Sequence, residues 1–184
     1  MNKYGRKILA DVDGYTPGEQ PREGGFVKLN TNENPYPPSP KVLEAIQTMD
    51  MADLRKYPDP MATALRRACA RCYGVPGEDW VVVGNGMDEI LAMALRAFVD
   101  PGDTIVAAYP TYTLYEVLCR LHGCSLNYIP LDDDFQLTPE FYAARGRLCF
   151  LTRPNAPTGV AYPREEVKRF CDAFKGIVLI DEAY

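Results

Sequence analysis

The chain has 184 residues, enough for one domain with a real core. Apolar residues make up 47% and charged residues 24%, a globular balance that excludes a disordered chain. A net charge of −5 gives none of the basic footprint that a nucleic-acid binder needs.

The first residues, MNKYGRKILADVDGY, carry Lys3, Arg6 and Lys7 but no apolar run after them, so no signal peptide is expected. The longest apolar stretch, Ile90 to Val99, is broken by Arg96 and is too short to span a bilayer. The expected location is the cytoplasm, with neither a membrane nor a nucleic acid as partner. In that setting Cys69, Cys72, Cys119, Cys124, Cys149 and Cys171 read as free, mostly buried thiols. Cys69 and Cys72 form a C-x-x-C inside a helical pattern, without a second pair at ligand spacing, so no metal site is expected.

Residues 1–39 are rich in Pro, Gly and Asn and read as an extended arm. Ser39-Pro40 supplies an N-cap and a proline at the first helical position, and Val42, Leu43, Ala45, Ile46 and Met49 follow at helical spacing. Asp59-Pro60 repeats the start signal. Met61, Ala64, Leu65, Ala68, Cys69 and Cys72 form the next stripe, and Gly74 with Pro76 ends it.

From Trp80 the pattern changes to strands alternating with helices. Strands are expected over Trp80–Val83, Thr104–Ala107, Leu126–Ile129, Leu148–Thr152 and Ile177–Ile180. Helices are expected over 86–99 and 111–122, at Thr138-Pro139 and over Pro163–Phe174. Strands apolar on both faces predict a mostly parallel α/β sheet. The chain stops at Tyr184, just past a strand that reads as central, so the sheet is expected to be incomplete at its C-terminal side and the chain a fragment.

In such a sheet, ligands bind beyond the carboxyl ends of the strands. Four loops there are unusual. Gly84-Asn85-Gly86-Met87-Asp88-Glu89 offers a tight backbone turn and a helix N-terminus suited to a phosphate; the bland reading is a turn whose acids complement the dipole. It is neither a dinucleotide fingerprint nor a P-loop. Tyr112 in Tyr109-Pro110-Thr111-Tyr112 can stack on a flat heterocycle or can be a core tyrosine. Arg153-Pro154-Asn155-Ala156-Pro157-Thr158-Gly159 is a rigid loop in which Asn155 either donates to a ligand oxygen or only shapes a turn. Asp181 ends an apolar strand, where an unpaired carboxylate is costly, and no nearby Lys or Arg is an obvious partner. A protonated pyridine nitrogen on a ligand would serve, with Tyr184 in reach of the same ring; a solvated strand end is the alternative.

These four loops, in this order, resemble the fold type I pyridoxal-phosphate aminotransferases over nearly the whole chain. Three further segments resemble the histidinol-phosphate branch: Leu29-Asn30-Thr31-Asn32-Glu33-Asn34-Pro35-Tyr36, Arg55-Lys56-Tyr57-Pro58-Asp59-Pro60 and Gly14-Tyr15-Thr16-Pro17-Gly18-Glu19-Gln20. The resemblance implies pyridoxal 5'-phosphate held by the backbone of Gly86, Met87 and Asp88. It implies Tyr112 stacked on the ring, Asp181 on the ring nitrogen, and Asn155 and Tyr184 toward the phenolic oxygen. Tyr57 would reach the neighbouring subunit's cofactor phosphate, which implies a homodimer. Tyr15 and Asn32 would lie near the substrate. Residues 1–50 would then be an arm and first helix belonging to a small domain, and 51–184 the first part of the large cofactor-binding domain.

Two positions depart from the family pattern. Ala156 stands where the loop commonly has a second asparagine. None of Lys3, Lys7, Lys28, Lys41, Lys56, Lys168 or Lys175 matches the context of the lysine that carries the cofactor, so no catalytic residue is assigned. The implied reaction of the intact protein is transamination between glutamate and imidazole acetol phosphate, giving histidinol phosphate, with this chain alone inactive. Alternatives are another fold type I enzyme, such as an aromatic aminotransferase or an amino-acid-phosphate decarboxylase, or a non-catalytic α/β binding module.

Overall fold

The computed structural model describes residues 4–10, 12, 18 and 24–184. The expectation for Tyr15 therefore lies outside the described residues. The chain divides into two compact units, Met1–Tyr15 with Gly84–Tyr184, and Thr16–Val83.

In the second unit, helix α1 spans Pro40–Gln47 and starts as expected, with the Ser39 hydroxyl accepting from the Lys41 N–H and proline in the first turn. Helix α2, Thr63–Tyr73, begins later than the Asp59-Pro60 signal suggests. The Asp59 carboxylate accepts from the N–H groups of Met61 (3.0 Å) and Thr63 (2.7 Å), and Ala62 takes a left-handed conformation. A capped turn thus precedes the helix. Gly74, at φ 67°, closes it as the sequence predicts.

The apolar stripes of both helices are present but uncovered. No residue of α1 is buried, and Ala70 is the sole buried residue of α2. The expected strand Trp80–Val83 is also absent as a strand. Glu78–Trp80 is a turn of 3-10 helix, and the extended residues after it pair with no strand. β-branched residues favour extended backbone, but a strand exists only with a ladder partner. The Arg66 guanidinium pins this segment to α2 instead, with Nε 2.8 Å from the Val81 carbonyl and Nη2 2.7 Å from that of Glu78.

The first unit is built on four strands: β1 (Thr104–Tyr109), β2 (Ser125–Pro130), β3 (Leu148–Thr152) and β4 (Ile177–Asp181). Their order is β2-β1-β3-β4 and every pairing is parallel, as the alternation of elements predicts. The connecting helices are α3 (Met87–Phe98), α4 (Leu114–His122), α5 (Pro139–Ala143) and α6 (Arg164–Ala173). Helix α4 starts three residues after the expected 111, because Thr111 is held in the loop by its hydroxyl contact with Thr152 Oγ1 at 3.1 Å.

Side chains alternate across the sheet and build two cores. Ile105, Ala107, Leu148 and Phe150 face Leu91 and Leu95 of α3 and Tyr115 and Cys119 of α4. Val106, Ala108, Cys149 and Leu151 face Phe141 of α5 and Val167 and Phe170 of α6. This double coverage explains why β1 and β3 read as continuous apolar runs. Close approach at the foot of the sheet demands glycine at 176, where an added Cβ would sit 2.5 Å from the Gly146 carbonyl oxygen. All six cysteines are free, with Cys119, Cys124 and Cys149 buried, as expected of reduced thiols. Among the described residues no helix is long and apolar enough to cross a membrane.

Candidate functional site

The strand order places a switch between β1 and β3, since the chain leaves β1 toward β2 on one side and later returns to β3 on the other. A crevice opens at the carboxyl ends of strands at such a point. Here it is a cleft of about 300 Å³, and all four of the loops singled out above contribute to its walls. Gly86, Met87 and Asp88 come from the start of α3, Tyr112 from the segment after β1, and Thr152, Pro154 and Ala156 from the end of β3 and its loop. Asp181, Ala183 and Tyr184 come from the end of β4.

The α3 end is built to receive an anion. Gly86 adopts φ 83° and ψ 174°, a backbone that side-chain-bearing residues rarely take, and caps the helix without a side-chain hydrogen bond. Glu89 reaches back instead to accept from the N–H of Asn85 (2.5 Å), two residues before the helix. The helix's leading N–H groups and positive dipole end thus border the cleft, an arrangement suited to a phosphate.

The β4 end supplies the negative charge. Asp181 is 5% exposed. Among the described residues its partners are not cations: Tyr115 Oη donates to Asp181 Oδ2 at 2.6 Å, and the Ala183 N–H donates to Oδ1 at 3.2 Å. Parallel pairing sets Thr152 beside Asp181 across β3 and β4, and Phe150 two residues earlier shows that this register faces α4. Tyr115 stacks on Phe150, with ring centroids 4.3 Å apart, and so delivers its hydroxyl to both Thr152 Oγ1 (2.8 Å) and Asp181. Burial, and then the adjacent carboxylate, push the Tyr115 phenol far above its ordinary range, so it remains a neutral O–H donor.

Sequence reasoning missed Tyr115 and Thr152. Tyr115 lies in an apolar helical stripe and reads as core; only the strand register shows what its hydroxyl meets. Tyr112 packs edge-on against the Tyr115 ring, with centroids 5.6 Å apart, and its hydroxyl contacts Asp88 Oδ1 at 3.3 Å. Glu182, next to Asp181, ion-pairs with Arg153 at 2.7 Å.

Asn155 has a different place from Ala156. Ala156 lines the cleft, whereas Asn155 is 2% exposed and directs its amide nitrogen to Pro110 O (3.0 Å) and Thr158 Oγ1 (3.1 Å). Both amide hydrogens are used within the protein, so Asn155 braces the loop after β3 against the loop after β1. Asn32 and Tyr57 belong to the other compact unit. Asn32 is exposed in a left-handed conformation, and Tyr57 is fully exposed. Among the described residues no lysine lines the cleft, and no cluster is arranged to hold a metal ion.

The chain is thus a parallel α/β domain with a helix N-terminus and a buried carboxylate at one switch-point cleft. The model of the family aminotransferase class I and II matches residues 25–184, and the chain belongs to that family. It is 45% identical over 182 residues to a histidinol-phosphate aminotransferase from Geotalea uraniireducens, covering 97% of this chain and 52% of the relative. It is 41% identical over 179 residues to that of Rippkaea orientalis, covering 97% and 51%. The chain thus spans about half the length of the curated relatives it matches. The solved histidinol-phosphate aminotransferase from Sinorhizobium meliloti, in complex with pyridoxal-5'-phosphate, superposes with a TM-score of 0.75 at 30% identity, over 83% of this chain and 42% of that one.

The brace makes a direct expectation. Asn155→Ala leaves the part-buried Pro110 carbonyl without this donor and is expected to destabilise the chain by about 1–3 kcal/mol. Urea unfolding checks this; an unchanged midpoint would show that Asn155 carries no such load.

Proposed function

We propose that these residues form the cofactor-binding part of a pyridoxal-phosphate-dependent aminotransferase that moves an amino group between glutamate and imidazole acetol phosphate, giving histidinol phosphate and 2-oxoglutarate. Family membership and the names of the relatives support the reaction class and the substrate. The observation that carries the cofactor assignment is the pairing, in one cleft, of an uncapped helix N-terminus with a buried carboxylate.

The donor set fits the group. The N–H groups at the start of α3 would hold its phosphate, with Asp88 and Tyr112 bordering them. Asp181 would hold a proton at the ring nitrogen, and Tyr184 would face the phenolic oxygen. When bound, the cofactor supplies an electron sink for the carbon that loses its proton, and a protonated ring nitrogen strengthens that sink. The rigid loop Arg153–Gly159, braced by Asn155, keeps the cleft's upper wall in place. Within this reading, residues 1–50 belong to a small domain and 51–184 to the first part of the large one. Tyr57 projects toward the cofactor phosphate of a second subunit in a homodimer, and the enzyme works in the cytoplasm.

Three measurements bear on this reading. Pyridoxamine 5'-phosphate needs no lysine to bind, so fluorescence titration of the 184-residue chain reads the cleft directly. Asp181→Asn is expected to weaken it about tenfold or more, the scale of one hydrogen bond to a charged group; equal affinity would remove the ring-nitrogen assignment. Because no lysine among the described residues lines the cleft, these residues alone are expected to give no turnover with glutamate, and turnover above background would show an unrecognised amine. Sedimentation of the whole protein should give twice the monomer mass; a monomer active at the same dilution would remove the role of Tyr57.

A further inference from the structure

Three hydroxyls stand in a buried row behind Asp181. Thr111 Oγ1 lies 3.1 Å from Thr152 Oγ1, which lies 2.8 Å from Tyr115 Oη, which lies 2.6 Å from Asp181 Oδ2. Thr111, Thr152, Tyr115 and Asp181 are all less than a tenth exposed. The direction of every bond follows from counting protons. A hydroxyl has one hydrogen, and an ionised carboxylate only accepts. Tyr115 therefore donates to Asp181, so Thr152 must donate to Tyr115 and Thr111 to Thr152. All three dipoles point toward the carboxylate, and each bond polarises the next.

The placement of this row is set by packing. The Tyr115 ring is clamped between Phe150, stacked at 14°, and Tyr112, edge-on at 88°. Its hydroxyl has no freedom to follow a carboxylate that rotates away. Among the described residues the second carboxylate oxygen meets only the more distant Ala183 N–H, at 3.2 Å, on a segment next to the exposed Tyr184. Rotation of Asp181 is thus resisted chiefly from the Tyr115 side.

We propose that Tyr115 is the positioning residue for the cleft carboxylate: its hydroxyl, oriented by Thr152 and Thr111, holds the plane of Asp181 in which a cationic ring nitrogen is met. The inference rests on the cofactor reading above and extends it to residues that do not touch the ligand through their hydroxyls. Tyr115→Phe keeps the stacked ring and removes only the donor. Asp181 then turns within its pocket, and its grip on a ring N–H weakens.

The test is a double-mutant cycle on the 184-residue chain, read by fluorescence titration with pyridoxamine 5'-phosphate and with folding checked by circular dichroism. Tyr115→Phe alone is expected to lower affinity about five- to tenfold. In the Asp181→Asn background the same substitution is expected to change little, because the group it positions is gone. A packing defect would instead lower affinity by the same factor in both backgrounds, and that result overturns the inference, as does an unchanged affinity in the single variant. Should Tyr115→Phe fail to fold, Thr111→Val at the far end of the row carries the same cycle, with an expected loss of about twofold that vanishes in the Asp181→Asn background; additive losses there overturn it. If the unsubstituted chain does not bind pyridoxamine phosphate at all, the cofactor reading and this inference fall together. If it binds and depends on Asp181 but not on Tyr115, only the inference falls.

Discussion

A carboxylate at the end of an apolar strand has to be satisfied by something, and the way Asp181 is satisfied organises the cleft. Burial removes the water that would solvate it, and among the described residues no lysine or arginine is within bonding distance to replace that water. The parallel register of β3 and β4 puts Thr152 at its side, and α4 lays Tyr115 across both. One short O–H···O bond thereby couples a strand end to a helix that is 66 residues away in sequence. A charge held in this way is ready for a cation in the cleft, because its remaining hydrogen-bonding capacity is not used up by the protein.

The rest of unit one serves this geometry. Two apolar layers, one under α3 and α4 and one under α5 and α6, fix the sheet from both sides. The strand order then opens a gap between the loops after β1 and β3, and Asn155 bridges that gap to the Pro110 carbonyl. The helix-end and carboxylate sides of the cleft thus sit on rigid elements and not on free loops, which is the condition for holding a small flat ligand in one orientation.

The second unit is organised differently. Arg66 ties three backbone carbonyl contacts around the turn after α2, yet the apolar sides of α1 and α2 stay open. Val42, Leu43, Ile46 and Leu65 are more exposed than their pattern in the sequence leads one to expect. Amphipathic spacing reports what a helix is suited to bury, and burial itself depends on a surface being there to receive it.

Much of this protein was legible in the residue order because the signals concerned are local. Ser39-Pro40 starts α1, Gly74 ends α2, and the alternation of short apolar runs with helical stripes specifies a parallel sheet, since strands buried on both faces cannot afford polar positions. Gly86 and Asp181 were visible as chemistry-bearing positions for the same reason: a glycine before a helix and an acid after an apolar strand are anomalies within a few residues. What tertiary structure alone decided is non-local. Tyr115 reads as one more core aromatic until the β3–β4 register brings Asp181 to its hydroxyl. Asn155 and Ala156 are neighbours in sequence, and only the packing of their loop against Pro110 turns one inward as a brace and leaves the other on the cleft wall. Trp80–Val83 has a strand's composition but no ladder, because propensity is a property of a segment while pairing is a property of two.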